Sequence, residues 1–360
     1  MSDANFEIFT ATVPPLVDAM DALLFLARHL HPPDAADMFE SLGAPDEPLR
    51  AVRPRLDALP DALEGVRSRL SVAADVTLRC YDQFRAALGQ GELVPMLRAI
   101  RDLPIAQEAL YPLAGAFPFV STFFLPEAMR DEVSLQERVA VRPVPGETGL
   151  FQMGADAARR GGFALYVPEY YTADREWPLV VALHGGSGDG RRFLWSWLRD
   201  ARASGAILVT PTALDRTWAL MGDDPDTPNL ARIVERIEAK WRIDPARKLL
   251  TGLSDGGTFT YLTGLQAGSP FTHLAPVAAS FHPMLTQLAD AKRLAGLPIF
   301  LTHGSLDWMF PVEVAHTAHA ALTAAGARVT FREIEDLSHA YPREINAEIL
   351  EWMVPGSSVT

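Results

Sequence analysis

Apolar residues follow two different rhythms along the chain, and the change falls near residue 136. Up to about residue 110 they recur at three- and four-residue steps. Leu16, Met20, Leu23, Leu24, Ala27 and Leu30 make one such series; Leu63, Val66, Leu70, Ala73, Leu78, Tyr81, Phe84 and Leu88 make another. That spacing lines one face of a helix. Gly89 and Gly91 stop the second series, and prolines at 32, 33, 48, 54, 60, 95 and 104 predict that the region is cut into short antiparallel helices. Beyond residue 136 short apolar runs alternate with helical segments. Residues 139–144 and 163–167 predict strands that open a sheet. Residues 179–183, apolar throughout, predict a central strand covered on both faces. Further runs lie at 206–209, 248–251, 274–278, 299–302 and 329–334. Among the intervening helices, Leu230, Ile233, Val234, Ile237 and Trp241 give the clearest, with Thr227 as N-cap and Pro228 at the first helical position. The expected organisation is an all-helical region over 1–135 and an α/β region with a mostly parallel sheet over 136–360, joined near Pro143 and Pro145.

Charge sharpens that division. The 360 residues carry 32 Lys+Arg and 45 Asp+Glu, a net −13, which argues against nucleic acid or an anionic membrane surface as a partner. Residues 1–135 hold 11 Arg, no Lys and 20 acidic residues. The single cysteine, Cys80, leaves no intramolecular disulfide, and the first basic residue is Arg28. A reduced cytoplasm and no secretory or transit leader are therefore expected. Two long uncharged stretches, 109–126 and 256–289, are interrupted by Pro112, Pro118, Gly115, Gly264, Pro270 and Pro276, so no stable membrane insertion is expected of them.

The chemistry begins at Gly252-Leu253-Ser254-Asp255-Gly256-Gly257, directly after an apolar strand. A serine at a sharp strand-to-helix turn is held in a strained backbone, and glycines two residues to either side leave room for the neighbouring chain. Its hydroxyl needs a base, and the base needs a carboxylate to orient it. Asp307, in the loop after the strand at 299–302, and His339, in the loop after 329–334, follow in the order such a turn requires. Asp336 is a competing acid, more simply a turn residue. His303 reads as a structural hydrogen bonder, and His316 with His319 lacks a third metal ligand. Asp223, Asp224 and Asp226 read as helix capping rather than a calcium site. No metal and no cofactor is expected.

A tetrahedral intermediate needs N–H donors aimed at its oxyanion. The amide of Asp255 is one candidate, and Gly186 or Ser187, in the glycine-rich turn Leu183-His184-Gly185-Gly186-Ser187-Gly188, supplies the other. The Asp255 carboxylate should stay out of the hole, where it would oppose the developing charge. A dinucleotide reading of these glycines fails, because the third glycine is misplaced and the next strand ends Leu208-Val209-Thr210-Pro211 without an acid for a ribose. His184, Gly185, Trp218, Met221, His282, Trp308 and Phe310 are expected to line a substrate pocket, apolar around the tryptophans and Phe310. Core packing is the rival explanation of the aromatics.

These motifs, together with His303-Gly304-Ser305-Leu306-Asp307 and Leu337-Ser338-His339, resemble the serine esterases of the α/β-hydrolase superfamily, of the phospholipase/carboxylesterase-like and polyhydroxybutyrate-depolymerase/feruloyl-esterase-like kinds. The resemblance spans about residues 136–354. It implies an α/β-hydrolase fold and a carboxylic ester hydrolase working through an acyl-enzyme, with Ser254 as nucleophile, Asp307 as acid and His339 as base. The expected partner is a small-molecule ester with an apolar acyl or aryl group. A serine peptidase or amidase, a polyester depolymerase and a catalytically silent binding module are the alternatives. The acidic helical region has no counterpart in the minimal members, so lid, support and dimerisation, and with it a homo-oligomer, stay open. Phe117, Phe119, Phe123 and Phe124 read as either a pocket roof or glue between the regions.

Overall fold

The computed structural model describes residues 3–154 and 159–354. Two units divide the chain, Met1–Arg142 and Pro143–Thr360.

The first unit is helical, with no strand among its described residues. Its frame is two helices of 27 residues, Asp3–His29 and Glu64–Gln90, longer than the prolines and glycines predict. Asp3–His29 passes through Pro14 and Pro15. Each interior proline costs about 3 kcal/mol, while each fully buried large side chain contributes about 1.5–3 kcal/mol. Leu16, Met20, Leu23 and Leu26 are all completely buried, so packing outweighs the breaks. Glu64–Gln90 also runs through Gly89 and stops at Gly91, whose φ of +68° makes the left-handed cap. The Tyr81 hydroxyl joins the two helices by donating to the Ala19 carbonyl at 2.8 Å. Asp46, fully buried, accepts from Arg50 Nε at 2.8 Å and Arg85 Nη1 at 2.8 Å. Burial alone would raise its pKa; the two guanidinium groups outweigh burial and hold it below the usual carboxylate range. The 25 residues Asn5–His29 are long and apolar enough to cross a membrane, and half of their most apolar window is buried inside the protein. Phe123 and Phe124 belong to the buried interior, whereas Phe119 is exposed.

The second unit is built on one sheet of eight strands: β1 Gly149–Met153, β2 Phe163–Val167, β3 Trp177–Leu183, β4 Ile207–Pro211, β5 Ile243–Leu253, β6 His273–Val277, β7 Pro298–Gly304 and β8 Arg328–Ile334. Their order is β1-β2-β4-β3-β5-β6-β7-β8. β2 pairs antiparallel with β1 and β4, and every other pairing is parallel. Leu179, Val180, Ala182, Leu183, Leu249 and Leu250 are fully buried, as central strands flanked by helices on both faces require. The strand predicted at 139–144 is absent. Val139 ends the helix Val133–Val139, residues 141–147 are exposed loop, and the sheet opens instead at β1, whose partly exposed edge position gives only a weak pattern. The helix after β4 is Asp226–Glu238, and its first turn is capped by Asp224, whose Oδ1 accepts the amides of Asp226 and Thr227 at 3.1 and 2.9 Å. Thr227 is thus inside the helix rather than its cap.

A buried polar chain ties the helix Leu198–Ser204 to the helix Ile345–Trp352. Tyr341 Oη donates to Asn346 Oδ1 at 2.8 Å, and Asn346 Nδ2 donates to Asp200 Oδ2 at 3.0 Å. Burial pushes the Asp200 carboxyl up to about 6. A carboxyl raised in the folded state stabilises fully below its unfolded value of about 3.9, and that contribution is lost as pH rises through about 6. Asp200→Asn keeps the acceptor without the charge. It should therefore melt higher than wild type at pH 8, by on the order of 2 kcal/mol in stability, with the gap closing by about pH 4. Thermal melts at the two pH values measure it; equal melting at pH 8 contradicts the expectation.

Candidate active site

β5 delivers Ser254 to the end of the sheet between β3 and β6. The residue has φ +55° and ψ −118°, a conformation that costs a non-glycine residue about 1–3 kcal/mol and persists only where its surroundings enforce it. Here they do. Its amide donates to Val277 O at 2.9 Å, and its carbonyl accepts from Thr258 N at 2.8 Å. A Cβ on Gly252 would lie 2.5 Å from the Gly256 carbonyl, and one on Gly256 would lie 2.5 Å from Leu183 O, so both glycines of the turn are sterically required. Ser254 caps the helix Asp255–Gly264, whose N-terminal end favours negative charge beside the hydroxyl.

The loops after β7 and β8 bring two more side chains to the serine. His339 Nε2 is 3.0 Å from Ser254 Oγ, and His339 Nδ1 is 2.8 Å from Asp307 Oδ2. Asp307 is buried, with Oδ1 accepting the amides of Met309 and Phe310 at 2.8 and 2.9 Å. Burial alone would raise its pKa, but the bond from His339 and the two amides outweigh burial and hold it below the ordinary carboxylate range. The two loops are fixed to each other at Gly304, where a Cβ would fall 2.1 Å from Leu337 O. The same carbonyl accepts the Leu306 amide at 3.0 Å. His303, fully buried, donates from Nε2 to Phe310 O at 2.8 Å and so supports the acid loop from behind. Asp336 is exposed.

On the other side of Ser254 runs the turn after β3. A Cβ on Gly185 would lie 3.6 Å from Ser254 Cβ, and one on Gly186 would lie 2.7 Å from Asp255 Oδ2. Ser187 has φ +57°, and its amide donates to Arg216 O at 3.2 Å. That corrects its reading as an oxyanion donor, because the N–H is already committed. Residues 213–219, between β4 and the next helix, brace this turn. Ala213 N donates to His184 Nε2 at 3.1 Å, Arg216 Nε to Ser187 Oγ at 3.0 Å, Thr217 Oγ1 to Asp255 Oδ2 at 2.6 Å and Trp218 Nε1 to His184 O at 2.8 Å. The brace is itself anchored on Asp226, whose carboxylate accepts the amides of Leu214 and Ala219, each at 2.9 Å.

A mostly parallel sheet whose fifth strand ends in a strained serine, with an acid after β7 and a histidine after β8 bonded to it, is a specific combination. Residues 226–353 match the model of the Phospholipase/Carboxylesterase family. The second unit has the α/β-hydrolase fold. The chain resembles a bifunctional acetylxylan esterase/xylanase of Neocallimastix patriciarum, at 30% identity over 135 residues, 36% of this chain and 19% of that protein. The chain thus spans about a fifth of the length of that curated relative. Among solved structures it is similar to a thermostable esterase, at 25% identity and TM-score 0.45 over 53% of this chain and 58% of that one. It is also similar to a ferulic acid esterase, at 18% identity and TM-score 0.45 over 57% and 95%.

Within the second unit the predicted pocket residues divide sharply. Trp308 and Phe310 set ring edges against the His339 imidazole, with centroids 5.9 and 5.5 Å away, and so flank the site. Gly185 passes beside the serine. Trp218 is buried and stacks on Phe259 at 5.4 Å, so it packs the core beneath the turn rather than lining a pocket. His184 is buried as well; burial lowers its pKa to about 4, and the neutral ring accepts at Nε2 while Nδ1 donates to Gly185 O at 2.7 Å. Its role is to shape the turn from within. Met221 is 93% exposed, outside any pocket wall. His282 is exposed and accepts the Met284 amide at Nδ1. His316 pairs with Glu333 at 2.7 Å, and no group of three metal-ligating residues occurs among the described residues. Arg216 and Thr217 carry no signal in the sequence, and Asp226, which its place before a helix marks as a capping residue, instead anchors the brace through the Leu214 and Ala219 amides.

Proposed function

We propose that this protein is a serine carboxylic ester hydrolase acting through an acyl-enzyme on small or medium esters. The observation that carries the reading is the unbroken chain Asp307–His339–Ser254, with links of 2.8 and 3.0 Å. His339 Nε2 removes the Ser254 proton as Oγ attacks the ester carbonyl carbon, while Asp307 holds the imidazole with its proton on Nδ1 and stabilises the cation that forms. The amides of Asp255 and Gly186 receive the oxyanion. Collapse of the intermediate expels the alcohol, protonated by His339, and water repeats the sequence on the acyl-enzyme.

Because His339 protonates the leaving group, the alcohol portion lies on the side of Trp308 and Phe310. That side favours aryl or apolar alcohols. Trp308→Ala should raise KM for a naphthyl ester by about three- to tenfold, the equivalent of one aromatic pair, while leaving an ethyl ester of the same acid unchanged. Equal effects on both esters would remove Trp308 from the pocket. The function itself is tested with p-nitrophenyl esters from acetate to palmitate, beside a feruloyl ester, a polyester emulsion and acetylated xylan, the ester of the Neocallimastix patriciarum acetylxylan esterase/xylanase. Hydrolysis of short esters is expected. Cleavage of p-nitroanilides without action on any ester would make the protein a peptidase instead.

A further inference from the structure

Asp255 occupies a contradictory position, given the reading of Ser254 as nucleophile. Its amide faces the task of stabilising an oxyanion, while its carboxylate belongs to the residue next to the serine and would oppose the same charge if it turned inward. In the structure Asp255 Oδ2 accepts the Thr217 hydroxyl at 2.6 Å. The same oxygen lies 2.7 Å from the point where a Cβ on Gly186 would stand, so the carboxylate rests against the flank of the turn that supplies the second donor. Three elements meet at one oxygen: the turn after β3, the first residue of the helix Asp255–Gly264, and residues 213–219 anchored on Asp226.

We propose that Thr217 is a positioning residue of this site, its hydroxyl holding the Asp255 carboxylate on the Gly186 flank and away from the developing oxyanion. A hydroxyl donating to a carboxylate makes a charge-assisted bond, strong enough to select one rotamer of a short side chain. Arg216, the preceding residue, does the equivalent for Ser187 through both its carbonyl and its Nε. The dipeptide therefore steadies, from outside, both Asp255 and the turn that carries Gly186.

The test is Thr217→Val, which keeps the shape and removes the donor. With p-nitrophenyl acetate, kcat should fall about tenfold while KM stays within about twofold, the signature of an interaction that matters in the transition state. Thr217→Ser should stay within about threefold of wild type. Adding Asp255→Asn to Thr217→Val should recover most of the lost kcat, because a neutral carboxamide does not repel the oxyanion. A Thr217→Val enzyme with wild-type kcat overturns the proposal. So does a loss that is the same with Asp or Asn at 255, as simple loosening of the loop would give. A wild-type protein that takes no fluorophosphonate at Ser254 and turns over no ester overturns the nucleophile reading and this role together, whereas normal labelling with an unaffected Thr217→Val removes this role alone.

Discussion

Ser254→Ala is expected to lower ester turnover by about a millionfold and to abolish covalent labelling by a fluorophosphonate, with little change in melting temperature. The change deletes one oxygen. Alanine meets the same φ of +55° that serine meets, and the bonds enforcing it, Ser254 N to Val277 O and Thr258 N to Ser254 O, are backbone bonds that survive. Strain and packing are therefore matched between wild type and variant, and the difference in rate reports on the hydroxyl. The residual rate comes from the oxyanion donors and substrate binding alone, about a thousandfold to ten-thousandfold over water in enzymes of this kind. His339→Ala should cost nearly as much, and the double variant should be no worse than either single one, because a nucleophile and its base act as a unit. Intact mass after labelling and initial rates on p-nitrophenyl acetate measure both effects. A Ser254→Ala protein keeping more than about one per cent of wild-type turnover would falsify the nucleophile assignment.

The residues that converge on Ser254 were legible because each is tied to a local backbone event. Gly252 and Gly256 announce a turn that a Cβ would obstruct. Asp307 and His339 follow apolar runs that become β7 and β8, and the ends of parallel strands gather on one edge of a sheet. The brace at 213–219 left no such signal. Its hydrogen bonds run to Ser187, Asp255 and His184, residues 29 to 38 positions away, and polar side chains in an irregular loop carry no period that would reveal them. The aromatic residues expose a related limit. Trp218 and Trp308 each follow a strand, yet one is 2% exposed and the other 43%. Apolarity says that a ring leaves water, not whether it enters the core or a substrate pocket. Gly304 stands in the sequence only as part of a motif, although its close approach to Leu337 O fixes the Asp307 loop against the His339 loop. Helix length failed differently: Asp3–His29 overrides Pro14 and Pro15 because burial is a property of the packed unit, whereas the prolines speak only for their own turn.

Asp307→Asn is expected to lower kcat about ten-thousandfold while retaining the fold, and the reason lies in which carboxylate oxygen does what. Oδ1 accepts two backbone amides, Met309 N and Phe310 N, and Oδ2 accepts His339 Nδ1. An asparagine has one acceptor and one donor to place. The two amides cannot turn away, so the carboxamide oxygen stays with them and the NH2 group faces His339. A donor there selects the tautomer with its lone pair on Nδ1 and its proton on Nε2, and Nε2–H cannot accept the Ser254 proton. The base is disabled without being moved, and the charge that stabilised the imidazolium is gone. Asp307→Ala should lose the rate and melt lower as well, because it leaves two part-buried amides without their acceptor, at up to about 1–3 kcal/mol each. Asp336→Asn, at the exposed carboxylate three residues before His339, should leave kcat unchanged. Stability separates the variants further. Asp307 is held below the ordinary carboxylate range in the folded protein, so its ionised form stabilises the wild type above the unfolded pKa of about 3.9, and that contribution is lost as pH falls through the lower folded value. The melting gap between wild type and Asp307→Asn should accordingly be widest at neutral pH and narrow in acid. An Asp307→Asn enzyme with near-normal kcat, or an Asp336→Asn enzyme without it, would transfer the acid's role to Asp336.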